Sequence, residues 1–396
     1  MFFNRRIPSF MRECYYYDSL AAIAYGIFSG LSINFFPVIA RRLGASSFQM
    51  GLLTAAPFIG ALFTIYWHRL SDAAISQVGF FVKVKLLARA VILLTAVATN
   101  PWIFIIIVFI NSLLEQAGSP AYVGIMKRVY SDNYRARAMG YVRTEMAIVA
   151  IFASYIGGFL LDHFSYRYIF PIGALFGLLS IASFGKIKVN EENKTPQRKK
   201  YGVLPREILE VLKKDKTYAL FLSIFFIYGF ANIIVMPLYP IFLVDYLKLS
   251  NISVGKLASI SSFFLILSYL FWGNWIDKEG PSRSLALSFS LGSFIPLCYF
   301  FASNIWYIVP ASIISGFIMG AGEIARINFI TNRAKKEDIP TYQGVDFTLM
   351  GLRGVIAPFL GVALMSWIGI RSVFIISFFM MVFSSLAMRM FNHYNS

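Results

Sequence analysis

Charge is scarce in this chain, and acid is scarcer than base. Of 396 residues only 14% are Asp, Glu, Lys or Arg, where soluble domains carry about 25%. Hydrophobic residues make up 58%, with 40 Phe. So much apolar surface cannot be hidden inside one soluble domain, and lipid is the expected solvent for most of it. The 19 acids are outnumbered by 36 Lys and Arg, a net charge of +17. That excess does not point to nucleic acid. The cations fall in short breaks between apolar runs, which is membrane topology rather than a binding stripe. Cysteine is almost absent. Cys14 and Cys298 lie at the edge of or inside apolar runs and suggest neither a disulfide framework nor a metal site. The three histidines, His68, His163 and His393, are far apart and suggest no metal cluster either. No Gly-x-x-x-x-Gly-Lys-(Ser/Thr) phosphate cradle occurs, which argues against an ATP-driven pump in this chain alone. No enzyme constellation is visible, and no cofactor or metal is expected. The N-terminus is basic at Arg5, Arg6 and Arg12, but the run that follows is too long for a signal peptide and has no small-residue cleavage site.

What the chain has in abundance is long apolar runs. A spanning helix needs about 20 mostly apolar residues. Twelve such segments are read, at roughly 15–40, 48–68, 77–98, 102–127, 138–162, 167–187, 217–244, 252–275, 284–302, 304–331, 343–367 and 371–391. Backbone groups in lipid must pair within their own segment, and these runs show no alternation, so helices are expected rather than strands. The fold class is therefore an all-α integral membrane protein with 12 transmembrane helices. Most Lys and Arg fall in the breaks on the side of the N-terminus, while Arg41, Arg42, Arg167, Lys248, Lys256 and Arg371 fall on the other. That bias places both termini in the cytoplasm and the protein in the cell membrane as a multi-pass chain. The break at 188–216 is the one long polar segment, and it divides the chain into a six-helix bundle over 1–187 and another over 217–396. Within it Leu204, Ile208, Val211 and Leu212 follow helical spacing. This suits an amphipathic helix on the inner membrane surface, or a solvated linker.

The two halves repeat. A shift of 204 residues pairs Gly51 with Gly255, Gly140 with Gly344, Gly157 with Gly361, Arg167 with Arg371 and Phe170 with Phe374. At a shift of 203, Phe36-Pro37-Val38 faces Tyr239-Pro240-Ile241. Between the eighth and ninth runs lies a charged, glycine-punctuated loop with Gly273, Asp277, Lys278, Gly280 and Arg283. It resembles the cytoplasmic loop of major facilitator superfamily transporters, whose pattern is Gly-x-x-x-Asp-(Arg/Lys)-x-Gly-x-(Arg/Lys), with Arg283 one residue late. The first-half copy, His68-Arg-Leu-Ser-Asp72, keeps the spacing to an aspartate but replaces the glycine with His68. Ala73, Ala74 and Ile75 follow where a cation and a glycine are expected. The resemblance covers essentially the whole chain. It implies two pseudo-symmetric six-helix bundles that rock about a central site lined by helices 1, 4, 7 and 10. It further implies a cytoplasmic gate at Asp72, Gly273, Asp277, Lys278, Gly280, Arg283 and Arg143, in which Asp277 sits at the start of helix five beside Arg137 or Arg143.

Ionisable groups inside the spans are costly, about 2.5–3.5 kcal/mol each at a helix centre on insertion scales, so they mark function or are paired. On the fourth helix Asn111, Glu115, Gly118 and Tyr122 share a face. Glu115 is read either as a proton or substrate site or as a structural carboxylate paired with Arg89. On the tenth, Glu323 and Arg326 are three apart and able to pair. The first helix puts Asp18, Tyr25, Ser29 and Ser32 along one stripe, and the seventh puts Tyr228, Asn232 and Tyr239 along another. These stripes suit a cavity lining or ordinary interhelical hydrogen bonding. Asp346 and Arg353 share a face of the eleventh helix, with Gly351, Gly354, Pro358 and Gly361 for close packing. On the fifth, Arg143 and Glu145 are about 200° apart and are read as unable to serve one site.

The function expected is secondary active transport of a small organic solute by alternating access. Glu115, Glu323 and Asp346 are the candidates for proton coupling, and an aromatic cavity with few charges leans toward efflux. Sugar or metabolite uptake, lipid flipping and a non-transporting sensor are the alternatives. The partners expected are a small-molecule substrate and the lipid bilayer, with the chain acting as a monomer.

Overall fold

The computed structural model describes residue 3 and residues 7–189, 205–335 and 338–395. Every extended element among them is helical: α1 (Arg12–Leu31), α2 (Phe36–Arg42), α3 (Ser47–Leu62), α4 (Thr64–Ala73), α5 (Gln77–Leu93), α6 (Pro101–Val129), α7 (Asp132–His163), α8 (Tyr166–Phe184), α9 (Pro205–Lys214), α10 (Lys216–Val235), α11 (Leu238–Ile241), α12 (Asn251–Glu279), α13 (Pro281–Phe301), α14 (Ile305–Arg333), α15 (Ile339–Ile368) and α16 (Ile370–Asn395). Among the described residues ten helical stretches are long and apolar enough to cross a membrane. An eleventh is counted if α3 and the helix after it, bent by 55° at their junction, form one span. α5, at 17 residues, falls just short by length, and a 3-10 turn at Leu94–Ala96 continues it. The apolar residues that lipid can solvate are on the outside. Phe152, Leu270, Trp306 and Phe379 are all exposed, as a membrane protein's surface requires.

The helices form two units. The first comprises Met1–Ala45, Phe63–Tyr201 and Ser250–Ser259; the second comprises Ser46–Leu62, Gly202–Leu249 and Ile260–Ser396. Each unit thus includes the opening segment of the second helix of the other half, and the two exchanged segments begin at Ser46 and Ser250, 204 residues apart.

In the first unit α1 lies against α7 and α8. The approach is close because glycines line it: a Cβ on Gly26 would come within 2.6 Å of the Met146 carbonyl oxygen, and one on Gly157 within 2.8 Å of the Gly30 oxygen. An aromatic cluster of Phe36, Phe104, Tyr166 and Phe170 closes one end. A larger core around Tyr15, Phe81, Tyr122, Tyr130, Val142 and Phe184 fills the other. The first turns of α12 are fastened to the end of α7. The Asp162 carboxylate accepts the backbone N–H groups of Asn251 at 2.7 Å and Ile252 at 2.9 Å. Asn251 Nδ2 donates to the Leu161 oxygen at 2.9 Å, and the Ser259 hydroxyl donates to the Ile151 oxygen at 2.7 Å. Asp162 thereby caps the first turn of α12, satisfying N–H groups that no helix can pair internally.

The second unit repeats this construction. α10 lies against α15 and α16, and a Cβ on Gly361 would collide with the Ile234 carbonyl. The residues in contact, Gly157 with Gly30 and Gly361 with Ile234, correspond at the shift of 204. Both leading helices break at the same place: α1 ends at Leu31 and α10 at Val235, with Ser32 and Met236 as their caps. Pro37 and Pro240 lie just beyond. Neither break is visible in hydropathy alone. Tyr239, Phe242, Tyr299 and Phe374 form the counterpart of the first unit's aromatic cluster. The exchanged segment follows the rule too. Gly51 of α3 lies on Phe359 and Val362 of α15, as Gly255 of α12 lies on Ser154 and Gly158 of α7. α9 presents Ile208, Val211 and Leu212 to the core of the second unit built on Tyr218, Phe221, Trp272 and Phe289. Leu204 lies outside the described residues.

Candidate functional site

The first unit holds a charged triad of two buried cations and a half-buried carboxylate. Lys85 and Arg89 are one helical turn apart on α5 and so face the same way. Glu115 on α6 meets both. Lys85 Nζ donates to Glu115 Oε2 at 2.7 Å and to the Glu115 carbonyl at 2.8 Å, while Arg89 Nη1 donates to Oε1. Room for these side chains comes from glycines. A Cβ on Gly118 would lie 2.6 Å from Lys85 Cε, and one on Gly177 2.5 Å from Arg89 Cδ. The Arg89 guanidinium also lies over Phe28 at 4.6 Å and over Tyr25 at 5.1 Å. Of the two readings of Glu115, this geometry supports pairing with Arg89 and adds Lys85, which hydropathy reading passed over although it lies inside the third apolar run. A carboxylate held between two cations serves best in its ionised form, because protonation would leave both cations uncompensated. Asn111, buried on the same helix, has no hydrogen-bond partner for its Oδ1. Ser29 is half-buried, and Tyr122 packs between Phe81 and Phe184 in the core.

A second polar cluster lies on α1 and α7. Tyr15, Asp18 and Ser19 fall within one turn. Asp18 is 3% exposed and accepts the Tyr130 hydroxyl at 2.8 Å. Glu145 is fully buried, accepting the Tyr15 hydroxyl at 3.1 Å on Oε1 and the Ser19 hydroxyl on Oε2. The angular argument about α7 holds, since Arg143 is exposed where Glu145 is buried. Its consequence was the reverse of dismissal: pointing away from Arg143 is what aims Glu145 into the unit. The missed signal was the run Tyr15, Asp18, Ser19 on a face of α1 beside a small-residue crossing.

In the second unit Arg326 of α14 donates to Asp346 Oδ2 of α15 at 2.7 Å, and its guanidinium lies 5.1 Å from the Phe347 ring centroid. Arg326 thus pairs across helices, which joins a charge from each of two elements. The Glu323 side chain lies outside the described residues. Arg353 of α15 donates from Nη1 to the Phe225 oxygen at 2.6 Å and lies 5.0 Å over the Phe225 ring. Tyr228 stacks on Phe289 at 3.7 Å with its hydroxyl in the notch of Gly292 and without a partner. Tyr239 stacks on Tyr299 at 4.3 Å, its hydroxyl likewise unpartnered. Asn232 is half-buried. Helix-to-helix packing therefore occupies both tyrosines of the seventh-run stripe.

At the loops, Asp72 is exposed and accepts Gln77 Nε2 at 3.1 Å, and Gln77 in turn accepts Arg128 at 2.7 Å. A cation thus serves Asp72 through an amide instead of from its own loop. Gly280 adopts φ +80, the left-handed conformation that ends α12 and starts α13, which explains a glycine there. Arg283 bonds Glu279 at 3.0 Å, while Asp277 and Lys278 are exposed. Gly273 has nothing within 4 Å of where a Cβ would stand. Among the described residues no grouping of His, Cys, Asp and Glu could hold a metal ion.

Comparisons with known proteins agree with this architecture. The family model described as Major Facilitator Superfamily matches residues 19–230 and again 221–393. The multidrug resistance protein MdtG of Salmonella arizonae is 24% identical over 385 residues, covering 93% of this chain and 92% of its own length. An uncharacterized transporter of Rickettsia felis is 28% identical over 260 residues, and that match spans 63% of this chain and 58% of the relative. Among solved structures, a point mutant of the nucleoside transporter NupG superposes with a TM-score of 0.76 at 13% identity, covering 96% of this chain and 99% of that one. A bacterial homologue of the lysosomal transporter Spinster superposes with a TM-score of 0.65 at 15% identity, covering 98% of each chain. These structural likenesses concern the fold alone. With matches in both halves and a helical membrane fold to carry them, this multi-pass cell membrane protein belongs to the Major Facilitator Superfamily of transporters.

Proposed function

We propose that this chain is a proton-coupled secondary transporter that exports small organic compounds by alternating access between the halves 1–187 and 217–396, acting as a monomer with both termini in the cytoplasm. The observation that carries the reading is the placement of ionisable groups inside the apolar units: Glu115 with its two cations, Arg326 with Asp346, and the Asp18–Glu145 cluster. Groups so costly in lipid are kept for a moving charge or solute. Export is favoured by full-length similarity to multidrug resistance proteins. For proton coupling we favour Asp18 over Glu115 and Asp346. Each of the latter two is engaged by a cation, whereas among the described residues the one direct side-chain bond to Asp18 comes from a neutral phenol. A proton can enter and leave there without breaking an ion pair. The cytoplasmic gate is assigned to Asp277 and its loop, with Arg143 as the cation it meets when the inner side closes.

The test is flux in proteoliposomes under an imposed pH gradient, across a panel of solutes. Accumulation that collapses with a protonophore, and that Asp18→Asn abolishes while exchange of labelled for unlabelled solute persists, is the expected outcome. Flux indifferent to both the gradient and Asp18 would end the proton-coupled reading. For the gate, Asp277→Asn should speed labelling of cysteines placed on the cytoplasm-facing side of the cavity.

A further inference from the structure

Among the described residues of the second unit, one buried carboxylate, Asp346, stands against two arginines, Arg326 and Arg353. Asp346 is engaged by Arg326 at 2.7 Å. Arg353 is only 7% exposed, and among the described residues no carboxylate lies within ion-pairing reach of it. One nitrogen, Nη1, donates to the Phe225 oxygen at 2.6 Å, and the Nε has no hydrogen-bond partner at all. The head group lies flat on α10 because Gly229 leaves a notch there: a Cβ at that position would collide with the guanidinium. Arg353 is therefore held in place by a backbone carbonyl, an aromatic face and a glycine, none of which neutralises it. A guanidinium stays charged at any pH a cell reaches, and a lone charge inside a membrane protein is expensive enough to mark function. In the first unit, by contrast, both cations, Lys85 and Arg89, bond a carboxylate oxygen of Glu115 directly.

We propose that Arg353 is the anchor of an organic-anion site, and that the solute this protein handles carries a carboxylate or a similarly flat oxyanion. Bound through Nη1 to Phe225, the guanidinium keeps its Nε edge for a ligand, and that edge offers two parallel N–H donors matched to the two oxygens of a carboxylate. The anion supplies the ion-pair partner that no described residue gives Arg353. Arg326 adds a second cation, shielded by Asp346, so the field at the site favours negative charge over the cationic amphiphiles that an aromatic cavity would otherwise suit. This assignment rests on the transport reading for its purpose but not for its chemistry.

The experiment uses the purified full chain in nanodiscs and three matched probes: naphthalene-2-carboxylate, its primary amide and 2-naphthylmethylamine. Calorimetric titration should show the carboxylate binding at least about tenfold more tightly than the other two, because a hydrogen-bonded charge is what distinguishes it. Arg353→Gln should remove that preference, and Arg353→Lys should keep part of it. Without ligand, Arg353→Gln should melt no lower than the parent protein, since it deletes a buried charge that has no direct ion pair among the described residues. A preference for the amine, no binding by any probe, or carboxylate binding unchanged in Arg353→Gln would each overturn the site. So would a lower melting temperature of the ligand-free variant with binding intact, which is the mark of a structural arginine. Gradient-driven flux of a neutral or cationic solute that excess carboxylate leaves untouched would sink the anion site while leaving transport standing. Carboxylate binding lost in Arg353→Gln without any flux would do the reverse.

Discussion

The two units share their crossings and differ in their charges. At a shift of 204, Gly157 and Gly361 touch corresponding residues of α1 and α10, and the breaks after Leu31 and Val235 coincide. Even the carbonyls at Ala98 and Ala302 are both capped by the start of the following unit-closing helix, through Tyr166 and Arg371. The ionisable groups inside the spans obey no such rule. Glu115 corresponds to Met319, Lys85 to Phe289, Arg89 to Ser293, Asp18 to Leu222, Glu145 to Leu349, and Arg353 to Val149. Crossing geometry is dictated by how near two backbones must come, so small residues recur wherever the fold recurs. Charges answer to what is bound or moved, and each unit has its own set. The scaffold is repeated while the chemistry each unit carries is its own.

That contrast can be pressed experimentally, beginning where the effect should be largest. Glu115→Gln strands Lys85 and Arg89 together inside the first unit, and a loss of about 3–5 kcal/mol is expected, visible as a large fall in melting temperature in detergent. A fall corresponding to under about 1 kcal/mol would mean that the triad is not a compensated cluster. Next come the matched crossings. Gly157→Leu and Gly361→Leu should each destabilise by about 1–3 kcal/mol or more, and by similar amounts, with Gly140→Ala, which meets nothing, as the unaffected control. Strongly unequal effects would break the equivalence of the crossings. Asp162→Ala should cost about 1–2 kcal/mol as a lost helix cap. Its signature is faster amide exchange confined to the first turns of α12, whereas uniform exchange across α12 would count against the cap.

The smallest effect belongs to Asp215, which lies outside the spans. It caps α10 through the Tyr218 N–H at 2.9 Å and holds Arg333 at 2.9 and 3.0 Å. Burial pushes its carboxyl up, but the bonds from Arg333 and Tyr218 outweigh that and hold it below the ordinary 3.8. A depressed folded-state value means that the stabilisation is present above the unfolded value and lost as pH falls through the folded one. Asp215→Asn should therefore cost about 1 kcal/mol at neutral pH, with the melting-temperature gap to the parent closing on acidification below about pH 4. A gap that stays constant with pH would show that the charge is irrelevant.

Most of the architecture was legible because lipid imposes a simple rule: apolar length becomes helix. The repeat was legible because its glycines sit at fixed spacing, and Gly157 and Gly361 prove to be equivalent crossings. The site was much less so. Sequence spacing reports which residues share a face of one helix, and it favoured Glu323 for Arg326. Which helices then meet is a tertiary fact, and it brings Asp346 to Arg326. Lys85 was hidden for a related reason. Hydropathy averages over a run, so two lysines among seventeen residues barely register, although Gly118 makes the space that admits Lys85. For Tyr228 and Tyr239 the sequence left cavity lining and interhelical contact both open, because a polar aromatic stripe has the same spacing whether it faces a solute or a neighbouring helix.

The exchanged segments bear on how the molecule is made. The ribosome delivers Ser46–Leu62 early, yet its packing partner α15 ends at Ile368. At translation speeds of roughly 5–20 residues per second, the face of α3 that carries Gly51 waits on the order of 15–60 s before Phe359 and Val362 exist to meet it. The first unit, likewise, is not closed until Ser259 has emerged. Neither unit can be completed from its own half of the message, so assembly of the pair is written into the order of synthesis, and separately expressed halves would each have to borrow a segment from the other.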